Sequence, residues 1–223
     1  MGTLLVRLRG PMQSWGVWGR EDNRTTESVP TKSGVLGLIA NVMGRDRTDD
    51  IADLAALRFG VRVLSPKHVV VCDFQTVGAR TYLPTLSGNT LNKNGIVRKK
   101  FIVEDGDFLV GLEGDALTLE SIAQRLRRPI RVPFLGRKAY SPTLPLFDSI
   151  SDESLENALV QWRPANDCAK RGYDTQADIE MFLDMPYDPL TATIPDQPVN
   201  YASREYLPRS IARKVVKPMG TSV

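Results

Sequence analysis

The chain has 223 residues, 42% of them hydrophobic and 25% charged, a composition that supports one sizeable core and excludes wholesale disorder. No run approaches the ~20 consecutive apolar residues of a membrane-crossing helix, and the first ten residues read as an amphipathic strand without an export signal. Two cysteines and one histidine exclude a disulfide framework and make a poor zinc inventory, so the expectation is a cytoplasmic protein with no membrane partner, no cofactor and no metal.

The net charge of +3 hides a strong segregation. Residues 67–101 carry six bases against one acid, residues 125–138 carry six bases and no acid, and residues 148–196 carry eleven acids against three bases. That division predicts a polyanion-binding surface beside a face that avoids nucleic acid or meets a basic partner.

In chain order, residues 3–9 alternate around Leu4, Val6 and Leu8 and predict a half-buried first strand, stopped by Gly10-Pro11. The next twenty residues are loop-like and hold Trp15, Trp18 and Arg24. A helix follows over 35–43, with Thr31 or Ser33 as N-cap and Gly44 as its stop. Residues 51–57 predict a short second helix, and 59–64 and 69–77 predict strands rich in β-branched residues. A polar stretch over 86–95 separates 69–77 from a further strand at 96–103, the layout of a long hairpin with a basic tip. Residues 108–112 predict a core strand and 117–126 an amphipathic helix. Beyond Pro129, an acidic helix over 154–162 and strands over 179–183 and 211–216 stand out among proline-rich turns. The order strand, helix, strand, strand, helix predicts an α+β fold of the ferredoxin-like, RRM type with an inserted β-hairpin arm, one domain over residues 1–223.

Catalytic chemistry is poorly provided for. His68 is the only histidine, so every base-assisted scheme must use it, and the segment 30–34 lacks the upstream glycines of a nucleotide-phosphate loop. The carboxylate pairs Asp49-Asp50 and Asp105/Asp107 lie in turn-like contexts. Thr31-Lys32-Ser33 at a helix start is instead suited to one backbone phosphate, through free N–H groups, two hydroxyls and an ammonium, or is a plain N-cap with a solvated lysine. Trp15 and Trp18 offer rings for unpaired bases, or pack in the core.

Several collinear segments are more specific. Gly10-Pro11-Met12-Gln13-Ser14-Trp15-Gly16, Arg24 and residues 30–38 (PTKSGVLGL) resemble the N-terminal signature of the CasD family, the type I-E CRISPR Cascade members of the RAMP superfamily of repeat-associated RNA-binding proteins. Residues 76–80 resemble the base of that family's thumb hairpin, residues 135–138 with 142–147 resemble its Leu-Gly-Arg-Arg and Pro-Leu segment, and residues 202–206 resemble its C-terminal element. The resemblance implies a non-catalytic crRNA-binding subunit that caps the 5′ handle of the guide, touches the neighbouring backbone and large subunits of Cascade, and meets target DNA only through the complex. It implies RNA contacts from Arg24, Thr31, Lys32, Ser33, Arg137, Lys138 and Arg204, and from a thumb at about 73–101 bearing Arg80, Lys93, Arg98, Lys99 and Lys100. The alternatives are a metal-independent endoribonuclease that processes CRISPR repeat RNA through His68, and an interaction module whose basic blocks meet an acidic protein.

Overall fold

The computed structural model describes residues 1–17, 19–20, 23–65, 67–77, 96–164 and 177–217. The first strand, β1 (Gly2–Gln13), is buried on both faces, so its apolar residues are not confined to one side of the alternation. Leu4, Val6 and Leu8 enter the main core, and Leu5 enters a second, smaller one. Two short strands, β2 (Gly19–Arg20) and β3 (Asn23–Arg24), follow, and then helix α1 (Lys32–Val42). The Thr31 side chain caps α1 by accepting from the Gly34 amide, and Gly44 at φ +79° ends it.

The short helix α2 (Ala52–Ala55) leads into β4 (Arg58–Val63) and β5 (Val69–Val77). The expected strands at 96–103 and 108–112 are one continuous strand, β6 (Ile96–Gly114), because the turn-like Asp105-Gly106 is absorbed by a left-handed backbone at Asp105, φ +52°. Helix α3 (Ala116–Arg127) buries Leu119, Ile122, Ala123 and Leu126, an i, i+3, i+4, i+7 stripe. Asp115 caps it through the Thr118 amide, and Arg125 and Arg127 sit in its last turn, where the helix dipole favours cations. Next come β7 (Phe147–Ser151), α4 (Leu155–Gln161), β8 (Ile179–Asp184), β9 (Thr193–Asn200) and β10 (Glu205–Val216). Neither β7 nor β9 carries a strand pattern in the sequence. β9 holds Pro195 and Pro198 and bonds only to β10 along its path, the edge position where a missing N–H is tolerated.

Among the described residues these strands form one sheet. Its centre runs β7, β1, β6, β4 in antiparallel neighbours and continues through β8 and β10 to β9. Helices α1 and α3 cover one face, with Phe59, Val61, Phe108, Val110 and Leu112 beneath them. On the other face α4 packs Leu155 and Leu159 against Leu5, Leu109, Met181 and Leu183. Gly60 and Gly111, partners in the β4–β6 ladder, let α4 lie close, since a Cβ on Gly111 would come within 2.6 Å of Leu155 Cδ1. No helix among the described residues is long and apolar enough to cross a membrane.

Candidate nucleic-acid interface

The first half of β6 leaves the core and pairs with all of β5, in register from Val69↔Glu104 to Val77↔Ile96, to form an arm. Its tip, residues 78–95, lies outside the described residues, and with it the expected contacts Arg80 and Lys93. The short β3 runs parallel to the arm's other side, with Asn23 opposite Lys99 and Arg24 opposite Lys100. Strand alternation therefore puts Asp73, Lys100 and Arg24 in one row on one face, with Gln75 and Arg98 in the next row on that face. Lys99 stands on the opposite face.

The face bearing Lys100 lines an open groove of about 670 Å³ together with Met12, Arg137, Ala139 and Tyr140, and the carboxylates Asp73 and Glu104 also line it. Lys100 Nζ donates to Gln75 Oε1 at 2.5 Å, and Gln75 Nε2 donates to Asp73 Oδ2 at 2.8 Å. The loop across the groove is held rigidly. Ser14 N–H donates to the Leu135 carbonyl at 3.1 Å, Leu135 is fully buried, and its N–H donates to the Tyr140 carbonyl at 2.8 Å. Gly136 turns the chain there at φ +86°, and a Cβ on it would sit 1.8 Å from the Ser14 oxygen. Arg137 is half-buried and donates to the Tyr140 hydroxyl at 3.0 Å and to the Phe101 carbonyl at 3.3 Å, with its guanidinium 5.6 Å from the Tyr140 ring centre. Such fixation presents a cation with little entropy left to lose. Lys138 beside it is exposed. Lys100 and Arg137 thus line one groove, with Arg24 and Arg98 on the same face of the sheet as Lys100 and Lys138 next to Arg137 in the chain, from three separate stretches of sequence. Nothing in the sequence pattern marked Tyr140 as the brace for Arg137.

The helix start at Thr31-Lys32-Ser33 has a different occupation from the one expected. All three residues are buried. The Lys32 N–H donates to Asp196 Oδ2 at 2.7 Å, and its ammonium pairs with Asp184 at 3.3 Å. Burial, the larger effect, pulls the Lys32 pKa down against the pull of Asp184. Arg209 completes the cluster: it holds Asp196 with two bonds of 2.8 Å, pairs with Asp184, and lies over the Phe59 ring at 5.3 Å. The Ser33 carbonyl accepts from the Tyr201 hydroxyl at 2.6 Å. The anion that the helix start attracts is a carboxylate of the same chain, carried in by β9, so in this arrangement these residues offer no open phosphate seat. The carboxylates of β8 and β9 are far along the sequence, and no local signal links them to Lys32.

Other expectations are also redistributed. Arg204 (φ +57°) lies in the exposed β9–β10 turn beside Tyr206, separate from the groove. The basic run 125–138 is divided: Arg127 pairs with Glu120 at 3.4 Å and lies 3.8 Å over Phe147, and Arg131 pairs with Asp46 at 2.7 Å. Of that run, Arg137 lines the groove. The acidic stretch serves internal partners, with Glu180 on Arg213, Glu156 on Lys214 and Asp148 on the Trp162 indole. Trp15 is fully buried, its indole N–H donating to Gln13 at 3.0 Å, so it is core rather than a base platform; Trp18 lies outside the described residues. His68 packs edge-on against Phe108 at 5.1 Å with Nδ1 2.8 Å from the Ser65 carbonyl. Among the described residues no group of histidine, cysteine and carboxylate side chains could hold a metal ion.

Comparison with known proteins adds three findings. The family profile Cas_Cas5d, described as CRISPR-associated protein (Cas_Cas5), matches residues 3–212. The chain is 33% identical over 178 residues to the CRISPR system Cascade subunit CasD of Escherichia coli (strain K12), spanning 72% of this chain and 77% of that protein. Two solved structures superpose over 97% of the chain: one described as a crystal structure of a Cas protein, 32% identical with TM-score 0.71 over 95% of its length, and one described as a CRISPR RNA-guided surveillance complex, 27% identical with TM-score 0.78 over 90% of that chain.

Proposed function

Because this chain belongs to the CRISPR-associated Cas_Cas5 family, we propose that it serves a Cascade surveillance complex as a non-catalytic subunit that grips the 5′ handle of the guide RNA. The observation that carries this reading is the groove in which Lys100 on the arm and Arg137 on a braced loop share one lining, with Arg98 on the arm and Arg24 on β3 on the same face of the sheet as Lys100. Two cations lining an open channel and two more on the adjoining face suit the phosphates of a single strand, which position the RNA without reading its sequence. The antiparallel order β7, β1, β6, β4 beneath α1 and α3 supports the ferredoxin-like reading of a single domain, with the β5–β6 arm as its thumb. Lys93 and Arg80 then extend the same contacts toward the tip, and the neighbouring backbone and large subunits flank the arm and sheet edges. The protein works in the cytoplasm and meets target DNA through the guide.

The test is a salt titration of guide-handle affinity in the reconstituted complex. Each phosphate contact on a single strand contributes about 0.7 to the log–log slope, so the Lys100→Ala/Arg137→Ala pair lowers it by about 1.4. An unchanged slope and affinity would overturn the assignment. Incubation with repeat RNA in chelator leaves the RNA whole; a discrete cut that disappears in His68→Ala would overturn the non-catalytic part.

A further inference from the structure

The face of the arm turned away from the groove has another chemistry. Phe74 is 58% exposed and stands in register with Lys99, which is in register with Asn23 on β3. Phe101, paired with Cys72, is the diagonal neighbour of Phe74, a separation of about 7–8 Å that aromatic side chains bridge. Exposed Val70 and Val97 extend the same face, and none of its described positions from Val70 to Thr76 or from Val97 to Val103 is acidic. Two phenylalanines on adjacent antiparallel strands, with an ammonium and a carboxamide at the same register, form a ring platform with polar groups at its rim.

We propose that Phe74 and Phe101, flanked by Lys99 and Asn23, stack one unpaired nucleobase of a single-stranded RNA that follows the groove and passes round the arm to this face, where Lys99 meets the phosphate of the stacked nucleotide. The proposal deepens the guide-binding reading and rests on it for the presence of RNA. An RNA base is favoured over a protein surface because a charged lysine occupies the centre of the patch, directly opposite the most exposed ring. A dry protein contact would strip water from that ammonium, whereas a nucleotide supplies a π-face for Phe74 and a phosphate for Lys99.

Single-stranded handle RNAs carrying 2-aminopurine at successive positions provide the probe, with the reconstituted complex as the receptor. One position is quenched by the wild type, released by Phe74→Ala and quenched again by Phe74→Trp, which also reports that the arm is intact. Phe74→Ala weakens binding roughly tenfold while leaving the salt slope unchanged, because a stack and not a phosphate contact is lost. Should Phe74→Ala keep both quenching and affinity while Lys100→Ala/Arg137→Ala loses binding, the platform is refuted and the groove stands. Should the wild type bind no handle RNA, both readings fall. Release of a protein subunit by Phe74→Ala with RNA affinity intact would overturn the platform in favour of protein docking.

Discussion

Replacing Asp196 by alanine tests the buried cluster that joins α1 to the C-terminal hairpin. Asp196 is fully buried and accepts three bonds, two from Arg209 and one from the Lys32 amide. Its loss leaves Arg209, 10% exposed, with only Asp184 as a charged partner and leaves a buried N–H unsatisfied. Breaking a buried ion pair by removing one partner costs roughly 3–5 kcal/mol. At about 2–4 °C per kcal/mol for a chain of this size, Tm falls by about 6–20 °C in thermal denaturation followed by circular dichroism. The same cycle with Arg209→Met isolates the coupling: the double variant is less destabilised than the sum of the singles by about 1–3 kcal/mol. A fall in Tm below about 2 °C, or strict additivity, would refute the reasoning and reopen the helix start to an external anion.

Lys32→Ala lowers Tm yet leaves the salt slope of RNA binding intact, since its ammonium serves Asp184; a slope reduced by about 0.7 would return Lys32 to the RNA. Burial pushes the Tyr201 phenol well above its usual value near 10, with Tyr206 and Asp196 adding to the rise. Its contribution to stability is therefore full below pH ~10 and lost as pH climbs from there toward the folded pKa, so in absorbance titration at 295 nm one of the six tyrosines ionises late, a step that Tyr201→Phe deletes. Gly136→Ala keeps every charge but forces a Cβ into the Ser14 carbonyl, so it weakens handle binding through displacement of Arg137 and lowers Tm by a strain of about 1–3 kcal/mol.

Local signals were legible where the physics is local. The α1 cap and stop, the apolar stripe of α3 and the β-branched run of β5 each announce themselves within a few residues. β7 and β9 gave no such signal, because Phe147–Ser151 is held by its pairing with β1 and Thr193–Asn200 by its edge contact with β10. Charge was the least transferable property. Lys32 and Asp196 are 164 residues apart in sequence yet hydrogen-bonded, and a run of bases at 125–138 says nothing about which of them find acids when folded. Arg137 and Lys100 were legible as cations, and their convergence depends on the turn at Gly136 and on the register between β3, β6 and β5.

At about 3.3 Å per residue, the nineteen residues of β6 form one continuous strut of roughly 60 Å that runs through the left-handed Asp105 without a break. No linker separates the part that would grip from the part that carries the core, so the arm has no hinge on which to swing freely. Load applied at Lys99 or Lys100 passes along covalent backbone to Val110 and Leu112, beneath the helices. Occupancy of the grip is therefore reported by the melting of the whole molecule, and ligand concentration sets how far that melting moves.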